Sequence, residues 1–188
     1  MRLFTGISLP AEVPDRLERV IRDLQRGVRA NWSPVENLHF TLKFIGSWPD
    51  SRLDELQSAL QALRPGPAFR VRVSQLGYFP NPHRPHSLFA GVQAGPELAA
   101  LAAAVDQAAA ALGIKTEDRP YHPHVTLARI KDQSQVRALR GRVAEMTDLE
   151  FGEFDVRAFH LYESRTGPRG SVYTKLATYD LEREKQIG

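Results

Sequence analysis

Cysteine is absent from the 188 residues, which removes disulfide scaffolds, thiolate zinc sites and cysteine nucleophiles from consideration. Long apolar runs are absent too. No stretch approaches the roughly 18 residues needed to cross a bilayer, and the N-terminus lacks the basic-then-apolar order of a secretory signal. The expectation is a cytoplasmic protein with no membrane partner. Net charge is small at +3, and lysine is scarce, since arginine supplies 20 of the 25 basic residues. The planar guanidinium suits bidentate phosphate contacts better than an ammonium does. A solvated basic surface accounts for such charge equally well. What remains, 42% hydrophobic and 25% charged residues, is an ordinary composition for one domain with a buried core. Without thiols, histidine must carry any such chemistry.

The pattern His-x-Thr-Leu occurs twice, as His39-Phe40-Thr41-Leu42 and His124-Val125-Thr126-Leu127, 85 positions apart. From six histidines and eight threonines, composition predicts only about a quarter of one His-x-Thr. A second pair shares the offset: Leu3-Phe4-Thr5-Gly6-Ile7 and Leu88-Phe89-Ala90-Gly91-Val92. Two matches at one offset imply an internal duplication, with repeat units of approximately 1–86 and 87–188 inside a single domain of residues 1–188.

Each unit reads as β-α-β-α-β. Arg2 to Leu9 is apolar enough for a strand, and Val13, Leu17, Val20, Ile21 and Leu24 recur at helical spacing until Gly27. Leu38 to Ile45 is the second strand, Leu53 to Leu63 the second helix, and Phe69, Val71 and Val73 alternate as a third strand. Gly77 to Ser87, with Pro80, Pro82, Pro85, His83 and His86, is expected as the connecting loop. The second unit follows with Leu88 to Val92, an alanine-rich helix ending at Gly113, Val125 to Ile130, and a helix through Val136, Leu139 and Val143. Phe151 to Glu163 and Val172 to Asp180 supply closing strands, with Ser164 to Ser171 as a hairpin whose Arg165 and Arg169 read as solvated charge first and as contacts to a polyanionic ligand second.

Side chains alternate along a strand, so His39 and Thr41 share one face while Phe40, Leu42 and Phe44 take the other. His124 and Thr126 repeat this. A lone histidine beside a threonine is most often a half-buried polar pair, but the duplication points elsewhere. If two sheets face each other, two imidazoles and two hydroxyls converge on one cleft. With unperturbed pKa values of about 6.5, one ring can accept a proton while its partner donates one, and the hydroxyls can hold phosphoryl oxygens. This chemistry requires neither metal nor cofactor. A zinc site built from His39, His122 and His124 is the alternative, whereas His83, His86 and His160 read as loop or core residues. Lys43 shares the parity of His39 and is a candidate phosphate contact.

The tandem motifs resemble the two-histidine phosphoesterase superfamily, and most closely the RNA 2′,3′-cyclic phosphodiesterase family, formerly 2′-5′ RNA ligases. The likeness runs through Arg2-Leu3-Phe4, Glu36-Asn37-Leu38-His39-Phe40-Thr41-Leu42-Lys43-Phe44-Ile45-Gly46, Pro123-His124-Val125-Thr126-Leu127-Ala128-Arg129 and Tyr173-Thr174. The resemblance implies an α+β, bilobal fold: two pseudo-symmetric lobes, each with an antiparallel sheet facing a central cleft and helices outside. It implies hydrolysis of RNA 2′,3′-cyclic phosphate ends to 2′-phosphomonoesters, with weak reverse 2′-5′ joining, by a monomer. His124 would be the proton acceptor, His39 the proton donor, Thr41 and Thr126 substrate-binding, and Arg129 the charge on the pentacoordinate phosphorus. Strict alternation sets Arg129 opposite Thr126, so it needs a bulge or a strand end to reach the cleft. Phe44 resembles a base-stacking position, against its parity. Gly6 stands where relatives more often carry alanine, and His86 near an expected arginine. A phosphodiesterase acting on small cyclic nucleotides or cyclic ADP-ribose phosphate, and a non-catalytic RNA-end binding module, remain as alternatives.

Overall fold

The computed structural model describes residues 1–168 and 170–182, and its strands and helices alternate as the periodicities require. Strand β1 (Arg2–Ser8) leads into α1 (Glu12–Gln25), which buries Val13, Leu17, Ile21 and Leu24 as one stripe. Glu12 and Asp15 lie in its first turn, where the helix dipole favours negative charge. A two-residue strand β2 (Asn31–Trp32) precedes β3 (His39–Ser47), α2 (Leu53–Gln61) and β4 (Phe69–Phe79). The second series comprises β5 (Ser87–Ala94), α3 (Pro96–Ala111), β6 (His124–Arg129), α4 (Val136–Ala144) and β7 (Glu150–Val156), then the hairpin of β8 (Ala158–Gly167) and β9 (Gly170–Asp180). Helix α3 carries Pro96 in its first turn, where a missing N–H is harmless, and ends at Gly113 with φ +90°, a left-handed cap that favours glycine.

The main strands form one antiparallel sheet in the order β7-β4-β5-β6-β3-β1-β8-β9, with β2 against β6. The order is a palindrome about the β6–β3 seam, so β5 matches β1, β4 matches β8 and β7 matches β9. The fold is α+β with two related lobes, as expected, but their strands are joined at the seam by the pair Phe40↔Val125. The partners of the third strands also differ from sequence order. Strand β4 pairs with β5 and β7, and β8 pairs with β1. Short connections explain this: β4 turns directly into β5, and antiparallel neighbours need only a tight loop. Helices cross as well, with α1 packing on β7 and α3 on β3. A single apolar core containing Leu17, Phe40, Leu88, Val105, Phe151 and Phe159 runs through both lobes, each large side chain contributing about 1.5–3 kcal/mol on burial.

Three expected boundaries shift. Strand β4 continues through Gly77, Tyr78 and Phe79, and β5 already begins at Ser87, because the aromatic residues suit a strand and the prolines start only at position 80. The stretch Phe151 to Glu163 is two strands separated at Arg157. Ser164 to Gly167 pairs with Tyr173 to Gly170, leaving only the hairpin tip irregular. Arg165 is ion-paired with Glu163 at 2.9 Å, and Arg169 lies outside the described residues. No helix is long and apolar enough to cross a membrane among those residues.

Candidate active site

Both motif strands carry a bulge at the same position of the repeat. On β3, Gly6 faces Thr41 and Thr5 faces Lys43, so Leu42 is the extra residue. On β6, Phe89 faces Thr126 and Leu88 faces Ala128, which makes Leu127 the extra residue. A bulge adds one residue to one strand and resets which face the later side chains take. Burial confirms the reset: Leu42 and Lys43 are buried in succession, as are Leu127 and Ala128, and the next residue, Phe44 or Arg129, is exposed.

The reset moves three expected site residues. Arg129 returns to the face of Thr126, satisfying the condition that strict alternation denied it. Phe44 turns to the face of Thr41, with 61% of its surface exposed and its ring 6.2 Å from Phe4. Lys43 goes the other way, and its expected phosphate contact is corrected. It is only 2% exposed, with Nζ 2.6 Å from Asp106 of α3 and donating to the Lys115 carbonyl at 2.5 Å. Its ammonium is committed to the protein interior.

The two histidines are held alike. Their Nδ1–H groups donate to the carbonyl two residues upstream, His39 to Asn37 and His124 to His122, each at 2.7 Å. These bonds fix the tautomer and leave both Nε2 atoms for the cleft. His39 Nε2 lies 3.1 Å from the Thr41 hydroxyl, which accepts from the ring when Nε2 is protonated and donates to it when Nε2 is neutral. Because Phe40 pairs with Val125 in antiparallel sense, continuing the register sets His39 across from Thr126 and Thr41 across from His124. The threonine carbonyls at the seam are satisfied by hydroxyls from outside the ladder: Tyr121 donates to Thr41 and Ser33 to Thr126, both at 2.8 Å.

Aromatic rings back each imidazole. Phe4 stacks on His39 at 4.8 Å, Tyr162 stacks on Phe4 at 5.0 Å, and Tyr173 meets His39 edge-on at 5.3 Å. Phe79 and Phe89 flank His124 at 4.8 and 5.3 Å. Gly77 makes room, since a Cβ there would stand 2.4 Å from the Phe89 ring. Phe4 and Phe89 are the duplicated Leu-Phe pair, so the signal that revealed the repeat also marked the site walls. Tyr121, Ser33, Tyr162 and Phe79 carried no motif.

Burial lowers the pKa of His39, its Asn37 hydrogen bond opposes this, and the charge of His124 lowers it further. His124 is lowered chiefly by burial, against the His122 hydrogen bond, and then by the charges of His122 and Arg129. The two imidazoles are thus electrostatically coupled, and Arg129 acts on His124. Among the described residues, no three His, Asp or Glu side chains converge as metal ligands, and the His122 ring packs against Phe79 and Phe89.

Two related lobes that bring tandem His-x-Thr strands to one cleft define the class of two-histidine phosphoesterases. The chain belongs to the 2′-5′ RNA ligase superfamily, whose model matches residues 13–168. The RNA 2′,3′-cyclic phosphodiesterase of Thermus thermophilus is 36% identical over 195 aligned residues, 98% of this chain and 92% of that protein. Its counterpart in Archaeoglobus fulgidus is 30% identical over 182 residues, covering 96% and 100%. Among solved structures, TT0787 of Thermus thermophilus superposes with a TM-score of 0.79 at 31% identity over 98% of this chain and all of that one. LigT of E. coli complexed with 3′-AMP gives 0.77 at 26% identity, covering 97% and 98%.

Proposed function

We propose that this protein hydrolyses RNA 2′,3′-cyclic phosphate ends to 2′-phosphomonoesters by acid-base catalysis between His39 and His124, as a cytoplasmic monomer. The observation that carries the reading is the matched pair of backbone clamps, which commits both Nδ1 atoms and leaves two Nε2 atoms for one cleft. Family membership and the relatives' activity support the substrate.

Water attacks phosphorus and passes its proton to neutral His124 Nε2, while charged His39 gives its Nε2 proton to the departing 3′ oxygen. The P–O bond to the 3′ oxygen breaks, and the phosphate stays on the 2′ oxygen. The Arg129 charge lowers the pKa of His124, favouring the neutral form that a base requires. Thr41, Thr126 and Arg129 hold the equatorial oxygens as charge builds there, and preorganised donors of this kind are each worth about a hundredfold or more. Run backward, the same transfers join RNA ends through a 2′-5′ bond.

RNA ending in 2′,3′-cyclic phosphate, incubated with the protein and EDTA, should yield a 2′-phosphate terminus. Absence of turnover, or turnover only with added zinc, overturns the mechanism. His39→Ala and His124→Ala should each abolish activity while retaining RNA binding, whereas a non-catalytic binding module has no activity to lose.

A further inference from the structure

The loop between β4 and β5, with its prolines and two histidines, takes no part in the acid-base chemistry, yet it joins the cleft to a second concavity. An open groove of about 740 Å³ lies between this loop and α4, lined by Tyr78, His83, Gln133, Val136, Arg137 and Arg140 among others. No aspartate or glutamate is among its lining residues. Arg137 and Arg140 stand three residues apart on α4 and so point the same way, and both are exposed. Neither has an ion-pair partner among the described residues, whereas Arg142 on the same helix is paired with Asp23. Two uncompensated guanidinium groups beside a phenol ring are the chemistry that binds a phosphate chain and stacks on its sugars and bases.

The groove is connected to the site through rigid parts. Phe79 of β4 touches the His124 ring at 4.8 Å, and its neighbour Tyr78, on the opposite face of the same strand, lines the groove. The loop between them and β5 is tied down on every side. Asn81 Oδ1 accepts from the backbone N–H groups of His83 and Arg84, both at 3.0 Å. Gln133 donates to the Pro85 carbonyl at 2.9 Å, and Ile130 N–H donates to the His86 carbonyl at 2.8 Å. Arg129, on the cleft face, pairs with Ser87 at the loop's end. Cleft and groove therefore lie on opposite faces of β4, and a chain running from one to the other has to round the loop between β4 and β5, where Arg84 and His86 are exposed.

We propose that this groove holds the sugar-phosphate chain of RNA on the 5′ side of the reacting nucleotide, so that the protein takes oligonucleotide ends in preference to free nucleoside cyclic phosphates. The inference rests on the cyclic phosphodiesterase reading above and assigns its substrate length.

The test compares a nucleoside 2′,3′-cyclic phosphate with progressively longer RNAs ending in the same group, for the native protein and the Arg137→Ala/Arg140→Ala double variant. For the native protein, kcat/KM should rise as the RNA lengthens. Two phosphate contacts on a single strand give a log–log salt slope of about −1.4, roughly a sevenfold loss of affinity between 50 and 200 mM salt. The double variant should lose that salt dependence and show a several-fold higher KM for the longer RNAs, with kcat retained. Mononucleotide turnover, unchanged, reports that the variant is folded. Equal rates at all lengths, or a native length dependence surviving in the variant, overturn the groove. So does a loss of binding that is as large for a mononucleotide as for RNA, which makes the groove a small-anion site. Fluorescence anisotropy of a labelled RNA reads the same comparison without turnover, so failure of the catalytic reading and failure of the groove are distinguishable.

Discussion

Lys43 offers a test of the bulge assignment in which the two readings predict opposite results. If strict alternation held, its ammonium would face the cleft, and Lys43→Met would raise KM with little effect on stability. With the bulge, Lys43 is 2% exposed and tied to Asp106 at 2.6 Å, to the Lys115 carbonyl at 2.5 Å and, more distantly, to Glu117 at 3.4 Å. It fastens β3, just past the bulge, to α3. Removing one partner of a buried ion pair costs about 3–5 kcal/mol, because the remaining charge is left uncompensated. Asp106→Ala should fall somewhat below that range, at about 2–3 kcal/mol, since the Lys115 carbonyl and Glu117 stay in place. For a protein of this size the melting temperature should drop by roughly 5–10 °C. Lys43→Met should be milder, about 1–2 kcal/mol, because the carboxylate it abandons is 20% exposed and can recover water. Thermal unfolding followed by circular dichroism reads both, alongside kcat and KM on a cyclic-phosphate substrate. An unchanged melting temperature in Asp106→Ala, or a stable Lys43→Met protein with a tenfold higher KM, refutes the reasoning.

The imidazoles of His39 and His124 both have lowered pKa values, so with the proposed acid-base pair the bell-shaped pH profile of kcat/KM, which reports the free enzyme, should centre below the ordinary histidine value of about 6.5; an optimum above neutrality contradicts this. Arg129→Ala removes a charge that lowers His124, so the acidic limb of that profile should move to higher pH while kcat falls about a hundredfold. Phe44→Ala should leave urea stability within about 0.5 kcal/mol, as expected of an exposed side chain, yet weaken RNA binding, and a large stability loss would place the ring in the core instead. His160, bonded to Ser8 at 3.1 Å and Thr178 at 3.0 Å, has its pKa lowered to about 4 by burial and then by the Lys175 charge. The unfolded chain therefore takes up this proton first, and stability present above about pH 6.5 should be lost as pH falls toward 4, by about 2 kcal/mol after solvent screening. Denaturant titrations should show a flatter pH dependence for His160→Gln, and an identical slope argues against the shift.

The histidine and threonine positions were legible because duplication marks them twice, and the helices because Val13, Leu17, Ile21 and Leu24, or Leu98, Leu101 and Val105, repeat at helical spacing. The faces of Lys43, Phe44 and Arg129 were not, because one extra residue reverses the parity of everything after it. The trace was present in the apolar pattern. Val125 and Leu127 share one parity while Ala128 and Ile130 take the other, and Phe40 and Leu42 are followed by Ile45 at an odd step. In the first copy Lys43 masked the switch, since a buried lysine breaks the apolar run that would have exposed it. The strand partners were hidden for a different reason. A repeat shows which segments are equivalent, and it does not say that β4 pairs into the second lobe while β8 returns to β1.

The seam between the lobes sets the mechanics of the cleft. The ladder there consists of the one pair Phe40↔Val125, so backbone bonding does little to fix the angle between the two motif strands. That angle is held by cross-bracing, with α1 leaning on β7 and α3 on β3, each helix reaching from its own repeat onto a strand of the other. The protein works as a trestle whose span is set by its struts. Packing such as Val13 against Gly152, where an added Cβ would sit 3.0 Å from Val13 Cγ2, belongs to that bracing, although it touches neither imidazole.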